Sequence, residues 1–355
     1  MPPNRVKHDM RQLNQAVEAA LSPQYSDRSR LLDLYESTVK DSQYIAEREK
    51  AESFLITEPF EVCAIGTEND DKERTELFRR PWFTHFLGIA IDVEFWGYTL
   101  VEFGPMDVHG EFTDASVFPR HHVRPFEKEI TKFPDDFHGI PYGEHETEYF
   151  LVELGNPYNL GKLESITVET IWKTFARSDW SEYNERFGKP FVVYKTDTED
   201  EKQRDEYFAM AQKFGADLVG VVGLSESLEI TDIASKASAE NYHELAKACD
   251  EYIAKMMNGQ TGTSDVKAFT GSAEVHERVL TEFTKARLKR IQDTVNYNLF
   301  PFLIAHGYKL DGFEFQFVGL RSKKENTIDN KSLNEPNTVR RNDKNPETDA
   351  LGFFA

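Results

Sequence analysis

The sequence predicts an α+β fold in which long helices carry a small α/β insert. Three observations lead to this prediction. In the second half of the chain, apolar residues recur at three- and four-residue steps over three long stretches, which is typical of amphipathic helices. Residues 104–162 are aromatic, irregular in period and interrupted by Pro and Gly, as in short strands with long connections. Residues 313–318 alternate as a final strand, and 355 residues suffice for two or three domains with a substantial core.

The first half of the chain is predicted to hold packing helices followed by short strands. After a polar leader, residues 1–25, Ser26 is expected to cap an amphipathic helix that continues to about residue 50. A second helical stretch spans about 70–95 with Pro81 inside it, which predicts two short helices or one kinked helix. Gly97 ends this stretch. Strands are predicted over 98–103, 112–118 and 149–153.

The second half is predicted to place a compact insert between two long helices. A helix over 164–187 ends where Gly188 is followed by Pro190. The insert is expected to contain strands over 191–194, 218–224 and 227–233, and a helix over 198–214. A helix at about 239–257 follows, then a loop rich in Gly, Thr and Ser, then the longest helix, from about residue 272 until Pro301 interrupts it. Residues 321–349 almost lack apolar side chains, which predicts a mobile tail.

The composition is that of a soluble, folded and acidic protein. Asp and Glu number 62 against 42 Lys and Arg, a formal charge of −20, which argues against binding nucleic acid by coating it with a basic surface. The 39% hydrophobic content is too high for a disordered chain. No run approaches the ~20 apolar residues of a bilayer span, so no membrane partner is expected.

Two cysteines, Cys63 and Cys249, lie far apart and without CxxC spacing. This pattern favours two reduced, buried thiols over a disulfide framework or a cysteine zinc site. The first residues lack the apolar core of a secretory signal, so we expect a protein that stays in a reducing cytoplasm.

No pattern of catalytic or metal-binding residues emerges. The histidines of the central block lack the helical spacing that would present two imidazoles on one face, so structural or surface roles are favoured over metal ligation. These are His121, His122, His138 and His145. The glycines of residues 220–225 lack both the Lys of a phosphate loop and the third Gly of a dinucleotide fingerprint. We therefore assign no catalytic residue, no metal and no cofactor.

The loop over residues 258–272, NGQTGTSDVKAFTGS, has a chemical character of its own. It holds one base, Lys267, and one acid, Asp265, among hydroxyl and amide side chains. Such groups can contact phosphate without holding it tightly. The candidates for contact with a polyanion are Gln260, Thr261, Thr263, Ser264, Lys267 and Thr270. The loop taken alone does not distinguish this role from that of an ordinary connection between helices.

Four motifs in a fixed order resemble the phage portal proteins of the Mu-like family. The segment YIAKMMNGQTGTS (residues 252–264) is followed by GSAEVH (271–276), similar to the family's helix ending in a GQT-type motif, its Gly-Ser segment and its next helix. Upstream, FWGYTLVE (95–102) is similar to an aromatic, Gly, strand and Glu element of the family, and RFGKP (186–190) to its FGxP junction. The resemblance covers about residues 30–320, although residues 104–162 match no family motif.

The resemblance implies a portal-type fold and a ring, usually of twelve subunits, at one vertex of a phage head, with DNA entering and leaving through the central channel. The implied parts are a flexible leader (1–25), an N-terminal α/β wing region (26–163), two stem helices (164–188 and 236–257), a small α/β clip (189–235), a tunnel loop (258–272), a wing helix with a strand (273–320) and a mostly disordered tail (321–355). The implied partners are other copies of the chain in a dodecamer, double-stranded DNA, the terminase motor, the major capsid protein and head-tail connector or neck proteins. The implied location is the virion, after assembly in the host bacterial cytoplasm.

The acidic charge fits this implied role. A ring of twelve copies would carry about −240, and a repulsive channel wall lets DNA slide instead of sticking. Twelve copies of Lys267 would then form a thin positive ring in a negative tunnel.

Two other functions remain open from the sequence. One is a DNA-processing enzyme that holds a divalent metal with Asp114, Asp135 and Asp136, although their spacing shows no convergence. The other is a different head-tail connector ring protein. The apolar end of the tail, which includes Phe353 and Phe354, is either a disordered terminus or an anchor to a neighbouring subunit or capsid protein.

Overall fold

The computed structural model of the chain describes residues 10–321 except 24–25, 135, 137, 144, 147, 188–191, 197–200, 203–204, 207–208, 210–218, 224–235 and 260–269. The first half holds the helices α1 (Met10–Ala20), α2 (Ser29–Thr38), α3 (Ser42–Thr57), α4 (Lys72–Leu77) and α5 (Pro81–Trp96). The second half holds α6 (Leu163–Phe187), α7 (Lys236–Asn258), α8 (Thr270–Thr294) and α9 (Phe300–Ala305). Helices α6, α7 and α8 confirm the three long helices that the sequence predicts.

The described strands form small separate sheets. They are β1 (Phe60–Ala64), β2 (Tyr98–Phe103), β3 (Ala115–Val117), β4 (Val123–Arg124), β5 (Glu129–Ile130), β6 (Ile140–Pro141), β7 (Leu151–Gly155), β8 (Val192–Thr196), β9 (Val219–Gly223) and β10 (Phe313–Phe317). The sheet orders are β1-β10, β3-β2-β7, β4-β5-β6 and β8-β9, and only the last pair is parallel. The chain is therefore the mixed helix and strand protein that its sequence predicts.

The main core joins the first and last parts of the chain. Strand β1 pairs antiparallel with β10, from Phe60 opposite Phe317 to Ala64 opposite Phe313. Aromatic rings from α5, α9 and β10 meet behind this ribbon together with Phe78, which follows α4. For example, Phe78 stacks on Phe300 with 5.4 Å between centroids. This packing joins the residues before α6 and those after α8 in one core. Helices α6 and α7 pack against this core.

Part of the predicted N-terminal leader forms a helix. Residues 10–20 form α1, and Leu13, Ala16 and Ala20 on one face of it are buried in the main core. The sequence pattern does not indicate this helix, because the segment is polar and two of its three buried residues are Ala, whose side chain is small. Residues 1–9 lie outside the described part of the chain.

The single helix predicted from Ser26 to residue 50 is two helices. Ser26 does not cap α2, because its hydroxyl donates to the carbonyl of Ala20 at 2.7 Å. The chain turns after Thr38, and Asp41 caps α3 by accepting hydrogen bonds from Gln43 N and Tyr44 N. The apolar spacing runs across the break, so periodicity alone could not find it.

Pro81 and Pro301 both lie at the start of a helix. Pro81 is at the first turn of α5 and separates it from α4, as predicted. Pro301 does not end the helical chain, which corrects the prediction: α8 passes through a π-helical turn, Val295–Leu299, directly into α9. In this wider turn Phe300 N donates to the carbonyl of Val295, five residues back.

The remaining predictions agree with the described elements in part. Strand β2 has the predicted bounds, β3 is shorter than predicted, and β1 was not predicted. Strands β8 and β9 confirm two strands of the insert, while its third predicted strand and most of its predicted helix lie outside the described residues. Cys63 and Cys249 are both buried and outside a disulfide, as predicted. None of the described helices has the length and apolarity that a membrane span needs.

Candidate functional site

The predicted loop lies between α7 and α8, and the described structure reaches both of its ends. Gln260, Thr261, Thr263, Ser264 and Lys267 lie outside the described residues, and Thr270 is the first residue of α8, where only the backbone is described. Asn258 ends α7 and Gly259 follows it. The described site is therefore the pair α6 and α7 together with the base of the loop.

A buried lysine fixes the α6 and α7 pair to α3. Lys173 on α6 is 1% exposed, and its Nζ lies 2.7 Å from an oxygen of Asp41 and also contacts Asp250 on α7. Asp41 is the residue that caps α3, so one carboxylate serves the helix start and the lysine together. Removing one member of a buried ion pair leaves an uncompensated charge, which typically costs about 3–5 kcal/mol.

Two neutral hydrogen bonds reinforce the start of α6. The hydroxyls of Thr38 on α2 and Thr167 on α6 are 2.9 Å apart, and both residues are buried. The Tyr35 hydroxyl donates to the carbonyl of Leu160, just before α6, at 2.9 Å. The beginning of α6 is therefore held by α2 and α3 at once.

Two basic side chains bind the carbonyl end of α7. Arg287 of α8, which is 4% exposed, donates from one nitrogen to Met257 O at 2.6 Å and from another to Asn258 Oδ1 at 3.2 Å. Lys162 Nζ donates to Met256 O at 2.8 Å. The last carbonyls of a helix lack partners within the helix and carry partial negative charge, so cations at this place satisfy and stabilise them.

One carboxylate, Glu94, balances these cations, and a second, Glu47, binds the amide of Asn258. Glu94 of α5 accepts from Arg287 Nε at 2.8 Å and also binds Lys162 Nζ. Burial alone would raise the pKa of Glu94, but the hydrogen bonds and charges of Arg287 and Lys162 outweigh burial and hold its pKa below the usual range. Glu47 of α3 accepts from Asn258 Nδ2 at 2.5 Å. We call the set Glu47, Glu94, Lys162, Asn258 and Arg287 the loop-base network.

Gly259 is required by the geometry just beyond α7. Its φ is 75°, in the left-handed region, and its N–H donates to Lys255 O at 2.9 Å, as at many helix ends. A Cβ at this position would come within 2.9 Å of the Phe283 ring. The same ring lies 4.7 Å from Lys162 Nζ and 5.5 Å from the Arg287 guanidinium. The Asn258-Gly259 pair of the sequence motif thus ends α7 and turns the chain where it packs against α8.

The carboxylates of the alternative metal-site prediction are engaged locally where they are described. Asp114 Oδ1 lies 2.8 Å from His85 Nδ1 and accepts from Ala115 N, and Asp136 accepts from Phe133 N at 2.9 Å. Asp135 lies outside the described residues. No group of three or more His, Cys, Asp or Glu in the described part of the chain could hold a metal ion.

The histidines of the central block also bind neighbouring groups. His121 Nε2 is 3.1 Å from Glu36, His122 Nδ1 is 2.9 Å from Thr131 O, and His145 Nδ1 is 3.0 Å from Glu148. These contacts are those of surface and structural histidines.

Sequence reasoning missed the loop-base network and Lys173. A signal was present: Arg287 lies between Phe283 and Ile291 at four-residue steps, inside the apolar stripe of α8. Lys173 likewise lies seven residues after Ile166, on the same face of α6. A charged residue on a buried stripe implies a buried partner, but the sequence does not reveal which residue it is.

A buried polar network thus fixes the α6 and α7 pair and the α7 end of the loop. Comparison with known proteins gives the family. The family described as "Portal protein of Mu bacteriophage" matches residues 32–335. The chain therefore belongs to this portal family, and its role is that of a phage portal, whose general function is the channel for DNA packaging.

A crystal structure of an HK97-family phage portal protein from Corynebacterium diphtheriae is also similar. The identity is 11%, the match covers 79% of this chain and 93% of that chain, and the TM-score is 0.46. A search of curated proteins finds no match. Family membership rests on the family match alone.

Proposed function

We propose that copies of this chain close into a dodecameric ring around a channel for double-stranded DNA, with α6 and α7 as the stem and residues 258–272 as the tunnel loop. The loop-base network carries the proposal. A loop that touches moving DNA needs a fixed base, and Arg287 of α8 holds Met257 O and Asn258 Oδ1 at the α7 end of the loop. An ordinary surface connection needs no buried charges at its base.

The other parts of the chain are assigned to the wing and the clip of a portal subunit. Residues 26–163 and 273–320 form the wing, and α1 belongs with them because its apolar face is buried in the same core. Residues 189–235 form the clip, whose described strands β8 and β9 pair in parallel. The clip contacts the terminase motor during packaging and the head-tail connector or neck proteins afterwards, while the wing meets the major capsid protein.

Exposed aromatic side chains on the stem helices support lateral contacts between subunits. Trp172 on α6 is 49% exposed and Tyr252 on α7 is 53% exposed. A ring is built from head-to-tail contacts in which one surface of a subunit meets a different surface of the next. Because both stem helices expose large apolar side chains, each helix can contribute to one of these two surfaces.

A structural role without catalysis fits the described carboxylates. Asp114 and Asp136 are bound by His85 and by backbone amides and do not converge on one point. The protein works in the virion after assembly in the host cytoplasm, and ATP hydrolysis belongs to a separate motor. No described contact favours the metal-dependent enzyme.

Three measurements on the purified full chain test this proposal. We expect light scattering to give the mass of a large ring and electron microscopy to show a pore with rotational symmetry. We also expect no cleavage of double-stranded DNA with magnesium. A monomer or dimer under all conditions, or magnesium-dependent cleavage, would contradict the proposal.

The tunnel-loop assignment predicts a specific role for Lys267. Lys267→Ala removes the one basic residue of the loop, so phage particles should retain less packaged DNA while rings assemble normally. Lys289→Ala is the control, because Lys289 is an exposed lysine of α8 that pairs with Asp293. Nuclease-protected DNA per particle is the measurement. Equal DNA retention in Lys267→Ala and wild type would remove the role of Lys267.

A further inference from the structure

A small cavity lies where α2, the end of α5 and strand β2 meet, and two arginines line it. Arg28 precedes α2 and Arg120 precedes β4, and Trp96, Tyr98 and Thr99 also contribute to the lining. The cavity has a volume of about 20 Å³. This space suits one particle of about the size of a water molecule, and it is too small for a phosphate or sulfate.

The two arginines bring positive charge to the lining of the cavity, and no described carboxylate forms a salt bridge with either of them. Arg28 is 6% exposed, and in the described part of the chain the buried Nε atoms of Arg28 and Arg120 have no hydrogen-bond partner. Arg120 donates only a long hydrogen bond, 3.3 Å, to Thr99 Oγ1, and its guanidinium stacks 4.2 Å from the Trp96 ring. Charges buried without partners are costly, so a site of this kind favours a counterion.

The nearest carboxylates are engaged elsewhere. Asp92 and Glu36 act on Arg120 from a distance, but Asp92 accepts from Arg48 Nε at 2.7 Å and Glu36 lies 3.1 Å from His121. The hydroxyl of Tyr98 donates to Glu153. Burial lowers the pKa of Arg28 and lowers that of Arg120 to about 10, and the charge of Arg28 adds to the second effect. The charge of Arg28 thus disfavours the charged form of Arg120.

Arg124 is a buried arginine whose two terminal nitrogens are hydrogen-bonded to backbone carbonyls. Arg124 is 5% exposed, and it donates to the carbonyls of Ser26, Pro134 and Asp136 at 2.8–3.2 Å. Among the described residues, no such set of backbone acceptors surrounds the terminal nitrogens of Arg28 and Arg120. The terminal nitrogens that line the cavity can therefore receive a ligand.

We propose that Arg28 and Arg120 form a binding site for a small monovalent anion of the size of chloride. The bound anion would neutralise both guanidiniums and hold α2 against β2 and the end of α5. The site is separate from the loop-base network and does not depend on the proposed channel.

Anion-dependent stability of the full chain tests the site. The thermal unfolding midpoint is measured while sodium chloride replaces sodium gluconate at constant ionic strength, because gluconate is too large for the cavity. A ligand that binds only the folded chain raises its stability with concentration, so we expect the midpoint to rise by several degrees with chloride. Bromide should act in the same way. Equal midpoints in chloride and gluconate would overturn the proposal.

Two variants assign the effect to its residues. In Arg28→Met the increment due to chloride should disappear, whereas Arg124→Met should lower the midpoint but keep the increment. An increment of the same size in Arg28→Met and wild type would overturn the proposal. If Arg28→Met does not fold, wild-type crystals grown in bromide decide the matter: an anomalous peak between the two guanidiniums supports the site, and its absence overturns it.

Discussion

At the scale of single residues, charged side chains in the core determine how the ends of helices are placed. Lys173 joins α3, α6 and α7, while Arg287 joins α5, α7 and α8. Both are nearly inaccessible to solvent, so their interactions are weakly screened. Buried charge of this kind contributes little net stability compared with apolar packing, but it is strongly destabilising when one partner is lost.

Replacing Arg287 with Met should therefore destabilise the protein strongly. The change leaves Glu94 without its main partner and frees the carbonyl of Met257, so we expect a loss of about 3–5 kcal/mol in the free energy of unfolding. Arg290→Met is a matched control, since Arg290 is 59% exposed and lies 3.7 Å from the same carboxylate. The control should change stability by about 0–1 kcal/mol. Similar losses in both variants, measured by denaturant unfolding, would contradict the role of Arg287.

The lowered pKa of Glu94 predicts a pH dependence with a definite sign. A carboxylate whose pKa is lower in the folded than in the unfolded chain stabilises the fold above its unfolded pKa, and this contribution is lost as pH falls through the folded pKa. Wild type should therefore be more stable than Glu94→Gln at neutral pH. The difference in unfolding midpoint should shrink below about pH 4.5. A difference that stays constant from pH 7 to pH 3 would show that the charge of Glu94 is not responsible.

At the scale of elements, the π-helical turn between α8 and α9 protects the edge of strand β10. The amide of Asn296 accepts from Phe315 N at 2.7 Å and donates to Phe315 O at 2.9 Å, so it pairs with the strand as a neighbouring backbone would. Gln292 Oε1 accepts from Phe317 N at 3.0 Å. Side-chain amides thus cover a strand edge that would otherwise be open to another chain.

Asn296→Ala should loosen β10 specifically. The variant leaves the backbone groups of Phe315 unpaired, for which we expect a cost of about 1–3 kcal/mol and faster hydrogen exchange at the Phe315 amide. Asn298→Ala is the control, because Asn298 donates one hydrogen bond to Glu153 O at an exposed site. Unchanged exchange at Phe315 in Asn296→Ala would mean that packing alone holds the strand.

The elements show which parts of this fold could be predicted from the sequence. The long helices α6, α7 and α8 have three- and four-residue apolar spacing over more than 20 residues, so their existence was clear. Strand β1 was missed because its partner β10 lies about 250 residues later, and short strands take their stability from such pairing. The sequence predicts that the helix ends at Pro301, because residue propensities do not indicate a π-helical turn. In the structure, the π-helical turn continues the helix into α9, and Asn296 in this turn binds Phe315 of β10.

At the scale of the whole molecule, the sequence motifs led to the portal family, and the match over residues 32–335 confirms it. The motif NGQT could be recognised from the sequence, whereas the structure explains its first two residues: Asn258 bridges Glu47 and Arg287, and Gly259 turns the chain beside Phe283. The loop-base network could not be predicted, since its members come from α3, α5, α7, α8 and the segment before α6. Only the folded chain brings them together.

The assignment of residues 258–272 to the channel is tested most directly by an electron cryomicroscopy map of the assembled particle at side-chain resolution. We expect a closed ring in which the ends of α7 and α8 at Asn258 and Thr270 point toward the central axis and the loop between them surrounds the DNA path. A ring in which these two ends face outward, away from the pore, would contradict the assignment.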